Sequence, residues 1–189
     1  DPSGKWIACN AKEEGDPDVY LMSADGGQLT RLTWLNSVTR IVGWTPDGSS
    51  ILFHSIHQAV HHRGSDAWLF KVGVDGGPDQ RLPFGPAVSL NYQQKGPGIM
   101  LARNSMNNSR WKRYRGGMVG EIWVDEQGKG NFQRILNDLE GNPVCPNWVG
   151  KRIWFVSDHE GIGNLYSCTP KGKDLQRESF QEEYYVRDP

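Results

Sequence analysis

The stretch RIVGWTPDGSSILFHSIHQAVHHRGSDAWLFKVGVDGGPDQRL, residues 40–82, contains four short strand-like runs separated by turns. The runs occupy residues 40–44, 51–53, 67–70 and 80–82. They are rich in the β-branched, aromatic and other apolar residues that favour strands. Asp47-Gly48 and Asp75-Gly76 supply the positive φ that a tight hairpin needs. The stretch therefore predicts four consecutive antiparallel strands that form one sheet.

The same order of runs and turns returns along the whole chain. Four short strands in a period of about 45–55 residues are typical of a β-propeller blade. The predicted repeats are residues 1–37, 38–87, 88–142 and 143–183, and residues 184–189 are predicted to be the first strand of a further blade. We therefore predict an all-β fold, a single partial β-propeller domain of four-stranded antiparallel blades with about four blades present. A β-sandwich of regular hairpins is the alternative, but it does not explain why the same turn returns at the same phase.

The composition excludes several classes of protein. The chain has 189 residues with 21 Lys and Arg against 22 Asp and Glu, which gives a net charge of −1. This balance argues against a dedicated nucleic-acid-binding protein, which would carry an excess of basic residues. No apolar run approaches the roughly 20 residues that span a bilayer, so we expect no membrane partner. The three cysteines, Cys9, Cys145 and Cys168, lie far apart in sequence, which favours free thiols over a disulfide framework or a zinc ribbon.

The long connections of the predicted blades all fall on one side of the strands. They are residues 10–18, 54–66, 103–120 and 157–163. Because binding residues concentrate in loops on a rigid scaffold, we expect any functional site on this side.

One of these connections holds four cations interleaved with aromatic residues. The four are the candidate peptide-binding residues Arg110, Lys112, Arg113 and Arg115. Guanidinium groups bind carboxylates through paired hydrogen bonds, so the segment could capture an anionic group such as a peptide carboxylate. Alternatively, the cations pack on Trp111 and Tyr114 or bridge neighbouring blades or subunits. Single-stranded nucleic acid would use similar residues, but the net charge argues against it.

Catalytic and metal-binding patterns are weak. His54, His57, His61 and His62 cluster near the end of one predicted strand. A metal would need a third fixed ligand, and a strand followed by a loop does not bring these side chains onto one face. Residues 157–161 place carboxylates beside a histidine, but no G-x-S-x-G or H-E-x-x-H motif occurs in the chain. We therefore predict no catalytic residue, no metal site and no cofactor.

Several segments carry a resemblance to a known family. They are Trp111–Gly117 (WKRYRGG), Glu121–Val124, Ser157–Ser167, Lys171–Leu175 and Tyr184–Arg187. These segments resemble the tricorn protease family, specifically its N-terminal six-bladed β-propeller. The WKRYRGG segment is fairly specific to that family, whereas the PDG and DGG turns are shared by many propellers, including TolB-like ones. The resemblance covers essentially the whole chain.

The resemblance implies a segment of a large, cytoplasmic, homo-oligomeric serine peptidase that hydrolyses short peptides. In that family the propellers are non-catalytic channels that present basic residues to the peptide carboxylate. The catalytic serine and histidine belong to a later part of the family's chain. We therefore expect a non-catalytic channel or gating wall and assembly scaffold, with short peptides and other domains or subunits as partners. The alternatives are a TolB-like adaptor that binds a protein, and a propeller lyase or hydrolase whose histidines hold a metal.

Overall fold

The computed structural model describes residues 1–13, 15–59, 66–105 and 112–187. Across these ranges the chain forms fifteen strands in four antiparallel sheets and contains no α-helix. The predicted all-β class and the four-stranded antiparallel blade are therefore confirmed. In the described part of the chain we find no helix with the length and apolar character needed to cross a bilayer.

The chain divides into two compact units, and the first covers residues 1–90. Its first sheet has three strands: β1 (Trp6–Ala11), β2 (Asp18–Ser23) and β3 (Thr30–Arg31). Its second sheet has four: β4 (Thr39–Trp44), β5 (Ser50–Ser55), β6 (Trp68–Gly73) and β7 (Gln80–Pro86). Each strand pairs with the next one along the chain, so both sheets are meanders.

The second unit covers residues 91–189 and begins within β8. Its first sheet contains β8 (Ser89–Tyr92), β9 (Ile99–Arg103), β10 (Glu121–Asp125) and β11 (Gln133–Ile135). Its second sheet contains β12 (Val144–Val149), β13 (Arg152–Ser157), β14 (Asn164–Cys168) and β15 (Gln176–Arg177). Tyr184–Arg187 is not a strand in the structure. The first strand of a blade forms its ladder with the next strand along the chain, and that strand would lie after residue 189. The assignment of residues 184–189 to a further blade therefore stays a prediction.

Each unit has its own apolar core, built from the strand positions that alternate toward the neighbouring sheet. The first core consists of Val19, Leu21, Leu32, Ile51, Phe53, Phe70 and Val72. The second consists of Met100, Ile122, Val124, Ile135, Trp148, Ile153, Phe155, Tyr166 and Cys168. Each fully buried large apolar side chain stabilises the fold by about 1.5–3 kcal/mol, so these clusters hold the sheets of each unit together.

Side-chain amides link the sheets within each unit. The Ile41 N–H in β4 donates to Asn10 Oδ1 in β1 at 2.9 Å. The Trp148 N–H in β12 donates to Asn91 Oδ1 in β8 at 3.0 Å. The Trp148 ring also lies so close to Gly98 that a Cβ on this glycine would be 2.5 Å from the indole Cη2. The sheets of the second unit therefore meet by close packing as well as by hydrogen bonds.

In two of the sheets, an acidic residue at the start of the last strand but one binds the last strand. Asp18, which is 1% exposed, accepts hydrogen bonds from Arg31 Nη2 at 2.5 Å and from Thr33 Oγ1 at 2.6 Å. In the third sheet, Arg134 lies 3.2 Å from Glu121 in the same way. These ion pairs hold the short outermost strands, which have few ladder hydrogen bonds of their own.

Candidate functional site

The candidate site is formed by two connections in the second unit. One is the cationic segment, residues 112–115, which lies between β9 and β10. The other is the acceptor loop, residues 157–163, which includes the end of β13 and leads to β14. Each connection joins the second strand of its sheet to the third, so the two lie at the same end of neighbouring sheets.

Asp158 in the acceptor loop is the centre of the contact between the two connections. Its carboxylate is completely buried. Oδ2 accepts the main-chain N–H of Arg113 at 2.6 Å. Oδ1 accepts the main-chain N–H of Asn142 at 3.1 Å and Nη1 of Arg115 at 3.1 Å. A buried carboxylate needs such donors, because burying an unpaired charge is strongly unfavourable.

Arg115 is the cation that pairs with this carboxylate. Besides its contact with Oδ1, its Nη2 donates to the main-chain oxygen of Asp158 at 3.1 Å. Nη1 also donates to the main-chain oxygen of Tyr114 at 3.1 Å. Arg115 therefore bridges two neighbouring sheets. This is the alternative stated in the sequence analysis, in which the cations bridge neighbouring blades.

Arg113 uses its main chain for that contact, and the residue is exposed. Its φ is 56°, in the left-handed region that residues with a side chain rarely adopt. Nε donates to the main-chain oxygen of Gly161 at 3.3 Å. Among the described residues, no carboxylate forms an ion pair with the Arg113 guanidinium.

Lys112 lies against the segment that follows the last sheet. Its ammonium is 4.9 Å from the ring centroid of Tyr185, a cation–π contact. The Tyr185 hydroxyl donates to Gly161 O at 3.0 Å, so this carbonyl accepts hydrogen bonds from both Tyr185 and Arg113. Within the described ranges, Lys112 has no ion pair with a carboxylate either.

The charges at the site do not cancel. The cationic segment carries three positive charges, and within the described ranges the one carboxylate that it contacts is that of Asp158. Glu160 in the acceptor loop is already bound, by Arg177 at 3.1 Å and by the Tyr166 hydroxyl at 2.9 Å. Burial lowers the pKa of His159 below its ordinary value, despite the carboxylates beside it, so this ring is neutral near pH 7. The site is therefore suited to an anion.

The acceptor loop does not present a nucleophile. His159 Nδ1 is 3.1 Å from Ser157 Oγ, which is the distance of a serine–histidine pair. However, Ser157 is completely buried, and the neighbouring Asp158 carboxylate is bound to the cationic segment. A substrate cannot reach this hydroxyl, so the pair is a structural hydrogen bond.

Some residues singled out in the sequence are outside the described residues, and others belong to the first unit. Arg110, His61 and His62 are outside the described residues. In the first unit, His54 Nδ1 donates to Val88 O at 2.7 Å, and His57 Nε2 is 3.3 Å from Asp79 Oδ2. No group of three or more potential ligands that could hold a metal occurs in the part of the chain that the structure describes.

Sequence reasoning missed the role of Asp158, although a signal was present. Ser157-Asp158-His159 begins at the last residue of β13, as Ser55-Ile56-His57 begins at the last residue of β5. The second repeat has an isoleucine where the fourth has the aspartate, so the repeat itself does not require a carboxylate there. That difference is the sequence signal, and the structure supplies the partners of Asp158 in the neighbouring connection.

Comparison with known proteins agrees with this architecture. The family model described as the tricorn protease N-terminal beta propeller domain matches residues 1–189. Tricorn protease homolog 1 of Streptomyces coelicolor is 38% identical over 189 residues, covering 98% of this chain and 17% of that protein. The crystal structure of the tricorn protease matches with a TM-score of 0.85 and 27% identity, over 97% of this chain and 18% of the other. The chain thus spans less than a fifth of the length of these relatives.

TolB from Acinetobacter baumannii has a similar fold. It matches with a TM-score of 0.66 and 15% identity, over 95% of this chain and 42% of that protein. At this identity the likeness shows the propeller fold alone, so it does not favour an adaptor function.

Proposed function

Because the chain belongs to the family of tricorn protease N-terminal β-propeller domains, we propose that it is a non-catalytic segment of a tricorn-type serine peptidase. In this role it forms part of the wall along which short peptides pass. It also holds other domains or subunits of a homo-oligomeric, cytoplasmic enzyme. Hydrolysis would then depend on the part of the parent peptidase that this chain does not cover.

The observation that carries the proposal is the positive charge left over at the cationic segment. Asp158 neutralises Arg115, while Lys112 and Arg113 remain exposed and without a carboxylate partner among the described residues. A guanidinium group can bind both oxygens of a carboxylate at once. The terminal carboxylate of a short peptide fits this chemistry, and a main-chain amide does not.

The test compares peptides that differ only at the C-terminus. Arg113→Ala should weaken binding of a peptide with a free carboxylate by roughly fivefold, the effect expected of an exposed charge-assisted hydrogen bond. It should leave the amidated form of the same peptide unchanged. Fluorescence anisotropy with a labelled N-terminus measures both affinities.

Lys129→Ala is the matched control, because Lys129 is an exposed cation in the connection at the opposite end of β10. It should change neither affinity. If Arg113→Ala lowers the affinity for the carboxylate peptide and for the amidated peptide equally, carboxylate recognition by Arg113 is contradicted. Turnover of a fluorogenic peptide by this chain alone would contradict the non-catalytic role.

A further inference from the structure

We propose that Asp158 is a positioning residue that keeps the Arg113 guanidinium free for a peptide carboxylate. This inference rests on the proposed function and adds to it. Asp158 does not touch the ligand, but its buried carboxylate fixes the main chain from which the Arg113 side chain projects.

The first support is the backbone of Arg113. A φ of 56° is unfavourable for a residue with a Cβ, so the chain adopts it only where other contacts hold it. The contact that holds it is the 2.6 Å hydrogen bond from the Arg113 N–H to Asp158 Oδ2. Without this acceptor, we expect Arg113 to leave the left-handed region and its side chain to change direction.

The second support is that the oxygen atoms of Asp158 already accept hydrogen bonds from other donors. Arg115 Nη1 and the Asn142 N–H occupy Oδ1, and Arg115 Nη2 occupies the main-chain oxygen of Asp158. Asn142 is itself completely buried, and its Oδ1 accepts the Gly120 N–H at 2.7 Å. Because these donors use the carboxylate, the Arg113 guanidinium cannot collapse onto it.

The structure therefore divides the cations into two roles. Arg115 binds Asp158 and thereby holds the cationic segment against the acceptor loop. Arg113 and Lys112 keep their positive charge available to a ligand. A sequence with several cations in a row does not by itself indicate this division.

The positioning role and simple electrostatics predict opposite changes in the affinity for an anionic ligand when Asp158 is replaced in Asp158→Asn. Removing a negative charge beside a cationic site should strengthen the binding of an anion if only Coulomb attraction matters. An amide, however, cannot accept all three hydrogen bonds that converge on this carboxylate, because its NH₂ group is a donor. The cationic segment is then released, and binding should weaken.

The experiment measures the affinities of the carboxylate and amidated peptides for the wild-type chain, Asp158→Asn and Glu160→Gln. We expect Asp158→Asn to bind the carboxylate peptide about tenfold more weakly and to lose the preference over the amide, a difference of about 1.4 kcal/mol. Glu160→Gln removes the same charge from the same loop without touching the cationic segment, so its binding should be no weaker than wild type. Equal or tighter carboxylate binding in Asp158→Asn would overturn the inference.

Arg115→Lys covers the case in which Asp158→Asn does not fold. It keeps the charge, but one ammonium cannot reproduce the paired contacts of Nη1 and Nη2. Carboxylate binding should weaken at least threefold, and unchanged binding would overturn the inference. If Arg113→Ala leaves carboxylate binding intact, the proposed function itself fails. If only the Arg113 variant weakens binding, the positioning role alone fails.

Discussion

Gly98 and Trp148 offer a direct test of how the two sheets of the second unit pack. Gly98 lies just before β9 and is buried, and a Cβ placed on it would be 2.5 Å from Cη2 and 2.8 Å from Cζ3 of Trp148. An ordinary contact between carbon atoms is about 3.5–4.0 Å. In Gly98→Ala the indole must therefore move by about 1 Å, although it is only 2% exposed.

Overpacking of this kind destabilises a core by about 1–3 kcal/mol, and we expect about 2 kcal/mol for Gly98→Ala. The two closest contacts of that Cβ are with the outer ring of the indole, which phenylalanine lacks. The next contact is with Gln93 Oε1 at 2.9 Å, at the end of a flexible side chain that can move away. The Trp148 Nε1 has no hydrogen-bond partner in the described structure, so Trp148→Phe breaks no such bond there. In the Trp148→Phe background, Gly98→Ala should lower the free energy of unfolding by less than about 1 kcal/mol. The difference from its effect in the wild-type chain is a coupling energy of at least about 1 kcal/mol between the two positions.

Urea unfolding of the wild-type chain, the two single variants and the double variant gives the four free energies of unfolding that the cycle needs. For a chain of this size the single Gly98→Ala variant should also lower Tm by about 4–8 °C. Gly117→Ala is the control, because a Cβ there would meet nothing within 4 Å. Additive effects of the two substitutions would refute the close packing of these sheets.

Two further predictions concern stability. Asp18→Asn should lower the free energy of unfolding by about 2 kcal/mol or more, because Arg31 loses its buried partner; a change in urea unfolding below about 0.5 kcal/mol would contradict this. Burial lowers the pKa of His54 below its ordinary value of 6.5, so acidification below that value protonates the unfolded chain first and the free energy of unfolding falls. His54→Gln, which can still donate to Val88 O, should reduce this fall between pH 7 and pH 5, and an unchanged pH dependence would show that other groups cause it.

The strands were predictable because local chemistry determines them. The run at residues 51–53 lies within the fully buried β5, and the Asp75-Gly76 turn has Gly76 at a φ of 85°. The irregular positions were not predictable. In β12 the pairing shifts between Val144 and Asn147, and Cys145 has a φ of 51°. Nothing in the residues around this cysteine marks a positive φ.

The cationic segment was predictable as a candidate site, but its division of roles was not. Arg115 and its partner Asp158 are 43 residues apart in sequence and come together only when two sheets pack. Sequence patterns describe neighbours within a few residues, so they indicate which side chains could bind an anion. They do not indicate which of these side chains the fold has already neutralised.

The meander order of the strands has a consequence for how the chain folds. Among the strand pairs in the described part of the chain, the two paired residues furthest apart in sequence are Ile99 and Asp125. Every ladder therefore closes a short loop, and the entropy lost in closing it is small. β-proteins that rely on distant pairings fold slowly, whereas here each unit can pack its core once its own two sheets have left the ribosome. We expect the polypeptide to acquire its structure unit by unit during synthesis, with the first unit folding before the second is translated.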